Sequence, residues 1–369
     1  MAMYIEKLSI DHFRGINGLI LEDLNHVNII AGDNNCGKTS VLEALQLLRN
    51  PSDFNNVLRI ARNRDMYTLR HAIPDYENFI NLFPRDNYLK EITVNGTCMG
   101  VPILFKLIGE QKTILLTPED LFHSQHMLTR AVRIIKQYPE GLETDAFIGV
   151  MHYSVGEKQG TESIEYHMYS RASLSERKNN HLNVVYLSSC DHLRGSIFNS
   201  ILRDDVYKEI CLNVLRLFDA DIVDLLYLAR DDSSRPDKYI KHAVLGNMPI
   251  STYGDGIKKV LSLANGIAQA ANGILMIDEF ETAIHSKYYD DIFRFLVKAC
   301  KQFQVQLFVT THSMEAIDGL LATQDYDMHN TDNISVLTFK KDNKQTFSRT
   351  LPGRRVYSNR DEFGFEVRL

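Results

Sequence analysis

Residues 27–48 read VNIIAGDNNCGKTSVLEALQLL, and this stretch decides the fold. Its first five residues form a short apolar run with β-branched side chains, which predicts a buried β-strand. In its last part Val41, Leu42, Leu45 and Leu48 recur at the three- and four-residue intervals of one helix face. Between them, residues 32–39 follow the pattern Gly-x-x-x-x-Gly-Lys-Thr. A strand and a helix joined by this pattern indicate a phosphate-binding loop.

The chemistry of phosphate binding explains the spacing within this loop. Gly32 and Gly37 allow the backbone to curl so that successive N–H groups point inward at an anion, and the positive end of the following helix adds to the field. Lys38 can then reach the β- and γ-phosphates of a nucleotide, and the Thr39 hydroxyl can hold Mg²⁺. The other loop residues that we expect to contact the nucleotide are Asn34, Asn35, Cys36 and Ser40. The sequence therefore predicts ATP and Mg²⁺ as cofactors.

The composition is that of an ordinary folded protein without a membrane span. The chain has 369 residues, 44% of them hydrophobic, and a formal net charge of −6, so any surface for nucleic acid has to be a local basic patch. Its five cysteines include no Cys-x-x-Cys pair, which argues against a zinc site or a disulfide framework and predicts a reducing, cytoplasmic location. The uncharged stretch from Val260 to Ile277 contains polar residues and glycines that predict a buried helix followed by a strand.

A second strand end carries two carboxylates. Residues 273–279 read GILMIDE, an apolar run that predicts a buried strand ending in Asp278 and Glu279. In phosphate-loop enzymes a carboxylate at the end of a neighbouring strand holds the Mg²⁺ shell, and the next carboxylate can orient and deprotonate the attacking water. We assign Asp278 to the metal and Glu279 to general-base catalysis. Without the upstream loop, the same run would simply be a strand entering an acidic turn.

Two further segments could approach the same phosphates. Residues 305–313, VQLFVTTHS, predict another buried strand, and His312 at its end could donate a hydrogen bond to the γ-phosphate or to the attacking water. Residues 251–256, STYGDG, combine hydroxyls, free N–H groups and a helix N-terminus, which together can bind an anion. Taken alone, His312 is more simply a surface residue, and the STYGDG segment is more simply a glycine-rich turn that caps a helix.

The sequence after the loop helix is less regular. Four arginines and a histidine form a basic cluster on a helical pattern: Arg59, Arg62, Arg64, Arg70 and His71. Such a cluster is either a phosphate-binding surface or a solvated helix face. Alternating runs farther along predict an antiparallel meander with a turn at Asn95–Gly96. We predict an inserted subdomain of strands and helices over residues 51–179.

Together these segments resemble the motifs of ABC-type ATPases, and more narrowly those of the OLD-like (overcoming-lysogenisation defect) ATPases. The matching phrases are Phe13-Arg-Gly-Ile16, the loop at 32–39, Tyr253-Gly-Asp-Gly-Ile-Lys258, Ile277-Asp-Glu-Phe-Glu-Thr-Ala-Ile-His285 and Glu362-Phe-Gly-Phe-Glu-Val-Arg368. The resemblance implies an α/β phosphate-loop NTPase of the ABC type, with a mixed β-sheet core, helices, and a β-rich and helical insertion between Walker A and the signature. It also implies a discontinuous ATPase head made of residues 1–50 and 180–369.

The same resemblance implies roles for single residues. It makes Asp278 and Glu279 the Walker B pair and His312 the switch histidine, and it places Arg14 against phosphate or adenine in the same subunit. The residues matched to the signature are Ser251, Thr252, Gly254 and Asp255. The hydroxyl of either Ser251 or Thr252 takes the part of the signature serine, because the segment departs from Leu-Ser-Gly-Gly-Gln. In ABC-type enzymes the signature covers the nucleotide of the facing subunit, so one loop and one signature per chain imply a homodimer enclosing two ATP molecules.

This resemblance favours an ATP-hydrolysing sensor or regulator in anti-phage defence, as in the PARIS and Septu systems. Too few residues follow Ser313 for the Toprim domain of full-length OLD proteins, so the effector, such as a Toprim or HNH nuclease, is expected to be a separate polypeptide. The alternative is a DNA-repair ATPase of the recombination-mediator type that binds duplex DNA directly. A transporter ATPase subunit and a scaffold that uses ATP only for assembly are further alternatives. The strand-rich insertion argues against the former and Glu279 against the latter.

Overall fold

The computed structural model describes residues 4–64, 73–85, 89–124, 134–170, 180–194, 198–230, 233–326, 332–342, 345–363 and 366–367. In chain order their strands are β1 (Ile5–Asp11), β2 (Leu19–Leu21), β3 (Val27–Gly32), β4 (Leu89–Cys98), β5 (Val101–Leu116), β6 (Leu142–Val155), β7 (Lys158–His167), β8 (Val184–Leu187), β9 (Ile222–Arg230), β10 (Ser233–His242), β11 (Gly246–Pro249), β12 (Ile274–Ile277), β13 (Gln306–Thr311), β14 (Ile334–Asp342) and β15 (Gln345–Pro352). Their α-helices are α1 (Lys38–Leu47), α2 (Phe54–Arg62), α3 (Asp75–Ile80), α4 (Pro118–Ser124), α5 (Asp205–Leu215), α6 (Asp255–Gln269), α7 (Tyr289–Gln302), α8 (Met314–Leu321) and α9 (Gly353–Phe363).

The central sheet is mixed and has the strand order β15-β14-β3-β13-β12-β8. Its strands from β14 to β8 pair in parallel, and β15 pairs antiparallel to β14. Every residue of β3, β12 and β13 is buried, as expected for strands covered on both faces. Because the carboxyl ends of parallel strands lie at one edge of a sheet, the segments that follow these three strands emerge side by side there. The predicted α/β phosphate-loop fold with a mixed sheet is confirmed.

Two hydrophobic cores lie on opposite faces of this sheet. Ile29 of β3 packs into the core that contains the apolar faces of α5 to α8. Ile30, the next residue, packs into the core that contains α1 and α2. This alternation is the two-residue period of a strand, and it makes β3 the seam between both cores. The phosphate loop therefore follows a strand that is buried in both cores.

A second, antiparallel sheet has the order β2-β1-β4-β5-β6-β7. Its strands β4 to β7 come from the region predicted as an insertion, and β4 pairs directly with β1. Fully buried Gln306 of β13 joins the two sheets, because its Oε1 accepts hydrogen bonds from the N–H groups of Tyr4 and Ile5, and its Nε2 donates to the carbonyl oxygens of Ile5 and Asn25. The division into a head (1–50 and 180–369) and an inserted subdomain (51–179) stays a prediction.

The turn predicted at Asn95–Gly96 is wrong. Both residues lie inside β4, and the chain turns at Met99–Gly100, where the φ angles are 48° and 76°. A Cβ at position 96 would lie 2.5 Å from Leu48 Cδ1, so the glycine allows the end of the loop helix to pack closely against the strand. Glycine, which indicates a turn in the sequence pattern, is needed at position 96 for close packing instead.

The uncharged stretch from Val260 to Ile277 has the predicted form of a helix followed by a strand. Its first part belongs to α6 and its last four residues form β12, and both elements are buried in the core. Within the described ranges, none of the helices combines the length and the apolar character needed to cross a membrane.

Candidate functional site

The loop between β3 and α1 has the backbone conformation of an anion-binding turn. Gly32, Asn35 and Gly37 have positive φ angles of 149°, 65° and 103°. A Cβ on Gly32 would lie 2.6 Å from the carbonyl oxygen of Phe339, so only glycine fits there. Gly37 is the N-cap of α1 and has no side chain to bond the first N–H groups of the helix. These groups can therefore bind a phosphate, as the sequence predicts.

The side chains of this loop divide into exposed and buried ones. Asn34 and Asn35 are exposed at its tip, whereas Cys36 is buried. Lys38 Nζ donates hydrogen bonds to the carbonyl oxygens of Gly32 at 2.7 Å and Asp33 at 2.8 Å. Both acceptors are neutral, and among the described residues no carboxylate forms an ion pair with Lys38. Its positive charge can therefore act on a bound phosphate.

The start of α1 and the end of β13 meet Asp278, which follows β12. Thr39 Oγ1, one residue into α1, donates a hydrogen bond of 2.9 Å to Asp278 Oδ2, and Thr310 Oγ1 of β13 donates one of 2.5 Å to Oδ1. The carboxylate is buried, and a hydroxyl and a carboxylate at this separation are oxygen donors of the kind that Mg²⁺ binds together with water and phosphate. Thr39 and Asp278 thus fit the predicted metal ion.

Glu279 adopts a backbone conformation that is rare for a residue with a side chain. Its φ angle is 45°, and its N–H donates a hydrogen bond of 2.9 Å to Thr310 Oγ1. The Thr310 hydroxyl therefore fixes the side chain of Asp278 and the backbone of Glu279 at once. Thr310 belongs to none of the predicted site residues, although its position at the end of a buried strand, two residues before His312, is a signal that could have found it. Backbone strain of this kind concentrates at functional sites.

His312 emerges at the same sheet edge, because β13 lies between β3 and β12. Its side chain is 53% exposed, and its Nδ1 lies 3.7 Å from Glu281 Oε1. Thr311 Oγ1 donates a hydrogen bond of 2.6 Å to the same carboxylate oxygen. In the sequence, Glu281 is only one letter of the phrase matched at residues 277–285. The structure shows that it is a buried carboxylate in contact with the end of β13.

A buried carboxylate on α1 holds two arginines beside the loop. The Glu43 side chain is 1% exposed, and its Oε2 lies 2.7 Å from Arg14 Nε. Arg64 donates hydrogen bonds to both Glu43 oxygens, at 2.8 and 2.7 Å, and one of 3.0 Å to Ser40 Oγ. Burial lowers the pKa of Arg14, although Glu43 acts to raise it. Burial also acts to lower the pKa of Arg64, but the charge of Glu43 and the hydrogen bond with it, together with Tyr186 and Asp278, raise that pKa overall. Arg14 thus lies next to the loop helix, as its predicted contact with the nucleotide requires.

We expect Glu43→Ala to lower the free energy of unfolding by about 3 kcal/mol, because it leaves the largely buried guanidinium of Arg14, whose side chain is 12% exposed, without its carboxylate. Urea denaturation followed by circular dichroism measures the change. Glu22→Ala is the matched control, since Glu22 pairs with Lys7 where both side chains are more than half exposed, and exposed pairs contribute at most about 1 kcal/mol. Equal losses of stability in the two variants would contradict this role of Glu43.

A cavity of about 840 Å³ opens beside the phosphate loop. Asn35 lines it together with the turn after β1, which includes Arg14, and with residues of the insertion such as Asn81 and Arg85. This volume lies within the range of small-molecule sites. The cavity can therefore take the base and ribose of a nucleotide whose phosphates bind to the loop.

The basic cluster predicted after α1 is largely paired with carboxylates. Arg59 lies 3.7 Å from Asp53 and Arg62 pairs with Asp75, while Arg64 bonds Glu43 as described above. Arg70 and His71 lie outside the described residues. The described arginines of the cluster all face acidic partners. These ion pairs favour a structural role for the cluster over a free phosphate-binding surface.

The residues matched to the signature are exposed at the N-terminus of α6: Ser251, Thr252, Gly254 and Asp255. Thr252 Oγ1 donates a hydrogen bond of 2.7 Å to the carbonyl oxygen of Pro249, and Asp255 accepts one of 3.1 Å from Lys258. Gly254 is the N-cap and has no side chain to bond the first N–H groups of α6. The described hydrogen bonds of these residues stay within this turn, and none reaches the phosphate loop of the same chain.

A second group of possible metal ligands lies near the β10–β11 turn. The ligand atoms of Asp219, Asp221 and His242 all lie within 4.8 Å of one another. However, the N–H groups of Val244 and Leu245 both donate to His242 Nδ1 at 3.1 Å, so the ring proton sits on Nε2, which lies 3.3 Å from Asp219. A protonated nitrogen does not bind a metal ion. His242 therefore stabilises the turn.

Two family models and one relative over nearly its full length are similar to this chain. The family model described as an AAA ATPase domain matches residues 3–211. A second AAA-domain model, whose description names the AbiEii toxin and type IV toxin–antitoxin systems, matches residues 213–318. An ATP/GTP phosphatase of Helicobacter pylori is 23% identical over 374 residues, which cover 95% of this chain and 96% of the relative.

Two further similarities concern a part of the sequence and the fold. The DNA replication and repair protein RecF of Pseudoalteromonas translucida is 40% identical over 78 residues, or 20% of this chain and 21% of that protein. The crystal structure of an SMC head bound to the C-winged helix domain of ScpA has a TM-score of 0.50 at 12% identity and covers 96% of this chain and 100% of its own. The latter likeness shows the fold alone. Because the first family model spans more than half of the chain, the protein belongs to the AAA ATPase domain family and is an ATP-hydrolysing enzyme with an ABC-type fold.

Proposed function

We propose that this ATPase works as a homodimer in which each ATP lies between the phosphate loop of one subunit and the signature of the other. The observation that carries this proposal is the exposed N-terminus of α6, where the first N–H groups have no capping side chain. The described hydrogen bonds of the neighbouring Ser251 and Thr252 do not reach the phosphate loop of the same chain. An anion-binding turn of this kind is complete only with a ligand from outside. A facing subunit supplies that ligand symmetrically, so both sites are identical.

Each residue of the site has a separate role in ATP binding or hydrolysis, which follows from the chemistry of its side chain. Lys38 and the loop N–H groups bind the β- and γ-phosphates, and Arg14 contacts the phosphate or the adenine of the nucleotide in the same subunit. Thr39 and Asp278 hold Mg²⁺, which supplies charge neutralisation on the phosphates. Glu279 accepts the proton of the attacking water as its oxygen bonds to the γ-phosphorus and the bond to ADP breaks. His312 donates a hydrogen bond to the γ-phosphate.

We further propose that this cycle controls a separately encoded effector, such as a Toprim or HNH nuclease, in cytoplasmic anti-phage defence of the OLD-like kind. The motif wording and the family description that names a toxin–antitoxin system support this assignment. The alternative, a repair ATPase that binds duplex DNA directly, has the similarity to RecF in its favour, but the RecF matches cover 12% to 37% of the chain. The paired arginines of the basic cluster weigh against direct DNA binding there.

A phage challenge tests the defence role. We expect cells that carry the gene with its genomic neighbours to form fewer plaques than cells with the Lys38→Ala variant, because an effector that is not controlled by ATP cannot respond to infection. Glu22→Ala, a surface change far from the loop, serves as the control and should protect like the unmodified protein. Equal plaque numbers for all three strains would overturn the proposal. Salt-sensitive binding of duplex DNA by the purified protein would then favour the repair alternative.

A further inference from the structure

A third hydroxyl approaches the carboxylate of Asp278. Thr310 Oγ1 lies 2.5 Å from its Oδ1, and Thr39 Oγ1 lies 2.9 Å from its Oδ2. The hydroxyl of Tyr186 lies 3.5 Å from the same Oδ2, so it is the most distant of the three. An ionised carboxylate only accepts hydrogen bonds, at about four positions on its two oxygens. Three hydroxyls can therefore donate to Asp278 and still leave it able to bind a metal ion.

The register of β8 against β12 explains why Tyr186 reaches this carboxylate. Tyr186 lies opposite Met276 in the parallel pair, and both side chains pack into the core that contains α1. Asp278 follows Met276 by two residues, which is about 6.6 Å along the strand. A tyrosine side chain is long enough to span this distance. The apolar ring is thus fixed in the core while the hydroxyl lies at the sheet edge.

The backbone of β8 binds Asp278 as well. The N–H group of Asp278 donates a hydrogen bond of 2.9 Å to the carbonyl oxygen of Leu187, the residue after Tyr186. Two consecutive residues of β8 therefore contact the backbone and the side chain of Asp278. Because Thr39 is assigned to the metal ion itself, Tyr186 is the second group on Oδ2 and is available only for positioning.

We propose that Tyr186 is a positioning residue for the magnesium site. Its hydroxyl holds Oδ2 of Asp278, as Thr310 holds Oδ1, so that the carboxylate keeps one orientation towards the metal ion. Tyr186 itself touches neither Mg²⁺ nor ATP. A ligand that is already fixed loses less freedom when the metal ion binds, which raises the affinity. The proposal rests on the assignment of Mg²⁺ to Thr39 and Asp278 in the proposed function.

Metal binding measured without turnover tests this role. Electron paramagnetic resonance detects free Mn²⁺, with the protein in excess over a non-hydrolysable ATP analogue. We expect Tyr186→Phe to raise the Kd for Mn²⁺ about tenfold, the lower end of the range for residues that hydrogen-bond a metal ligand, because the contact is long. The affinity for the analogue without metal should stay unchanged. Tyr153→Phe is the matched control, since Tyr153 is a half-buried tyrosine of β6 that packs against the same core, and it should bind Mn²⁺ like the unmodified protein.

The Mg²⁺ dependence of hydrolysis separates positioning from general damage to the fold. In Tyr186→Phe the Mg²⁺ concentration that gives half of the maximal rate should rise about tenfold, and excess Mg²⁺ should restore kcat. A weakened metal site is filled by mass action, whereas a distorted fold is not. A kcat that stays low at saturating Mg²⁺ would overturn the proposal.

An Asp278→Ala background identifies the group through which Tyr186 acts. There, Tyr186→Phe should cause no further change in the Kd for Mn²⁺, because the carboxylate that it positions is gone. A further tenfold loss would overturn the proposal. An unchanged Kd in Tyr186→Phe together with a weakened one in Asp278→Ala would refute this proposal alone. An unchanged Kd in Asp278→Ala would refute the metal site of the proposed function itself.

Discussion

Lys38→Ala is expected to abolish ATP binding at physiological concentrations. The Kd for ATP with Mg²⁺ should rise about a hundredfold or more, because charged hydrogen bonds from the ammonium to the phosphates, worth about 3 kcal/mol, are lost. The fold should survive, since the described partners of Lys38 are two backbone carbonyl groups of its own loop. Isothermal titration calorimetry measures the affinity directly.

Lys7→Ala is the matched control for this experiment. Lys7 is an exposed lysine that pairs with Glu22 on the antiparallel sheet, away from the loop. The control should bind ATP like the unmodified protein. Unchanged affinity in Lys38→Ala would mean that the loop at residues 32–39 is not the nucleotide site, and the roles of Asp278 and Glu279 would lose their basis.

Glu279→Gln should keep ATP binding and lose hydrolysis. We expect kcat to fall about 10²-fold or more, which is the scale for loss of a positioned general base, while the Kd for ATP changes little because the amide keeps the shape of the side chain. Phosphate release measures kcat. Glu315→Gln, an exposed acid in the first turn of α8, controls for loss of a carboxylate near the site. Full turnover by Glu279→Gln would show that another group activates the water.

The phosphate loop and the Walker B strand could be predicted because their chemistry is local. The loop places its essential residues within eight positions: Gly32, Gly37, Lys38 and Thr39. The two glycines are needed for positive φ angles, and the lysine and threonine are needed for the phosphates and Mg²⁺, so the pattern itself indicates the role of each. The strand that ends in Asp278 is similarly visible as an apolar run before an acid. Such patterns carry both the fold and the chemistry in one short stretch.

Contacts between distant parts of the chain could not be predicted in the same way. The hydroxyl of Thr310 on Asp278, the amide of Gln306 on the backbone of Tyr4, and the carboxylate of Glu43 between two arginines all depend on which strands are neighbours. Sequence pattern gives the period of a strand but not its partner in the sheet. These polar residues are buried because the topology supplies their partners, and nothing adjacent in the chain marks them.

Asn95–Gly96 and Glu281 show that local sequence does not always determine the structural role of a residue. Asn-Gly is a strong turn signal, yet here the glycine makes room for Leu48 within a strand. Glu281 is only one residue of the phrase matched after Walker B, and nothing in the sequence shows that it is buried against Thr311. In both cases the packing of another element decides the role, and that element lies more than 25 residues away in the sequence.

Two copies of the chain are proposed to share the ATP molecules, and multi-angle light scattering of Glu279→Gln tests this claim most directly. With ATP and Mg²⁺ this slowly hydrolysing variant should have about twice the chain mass of 42.3 kDa, and Lys38→Ala should stay at the mass that it has without nucleotide. A mass of one chain for Glu279→Gln at saturating ATP would contradict the claim.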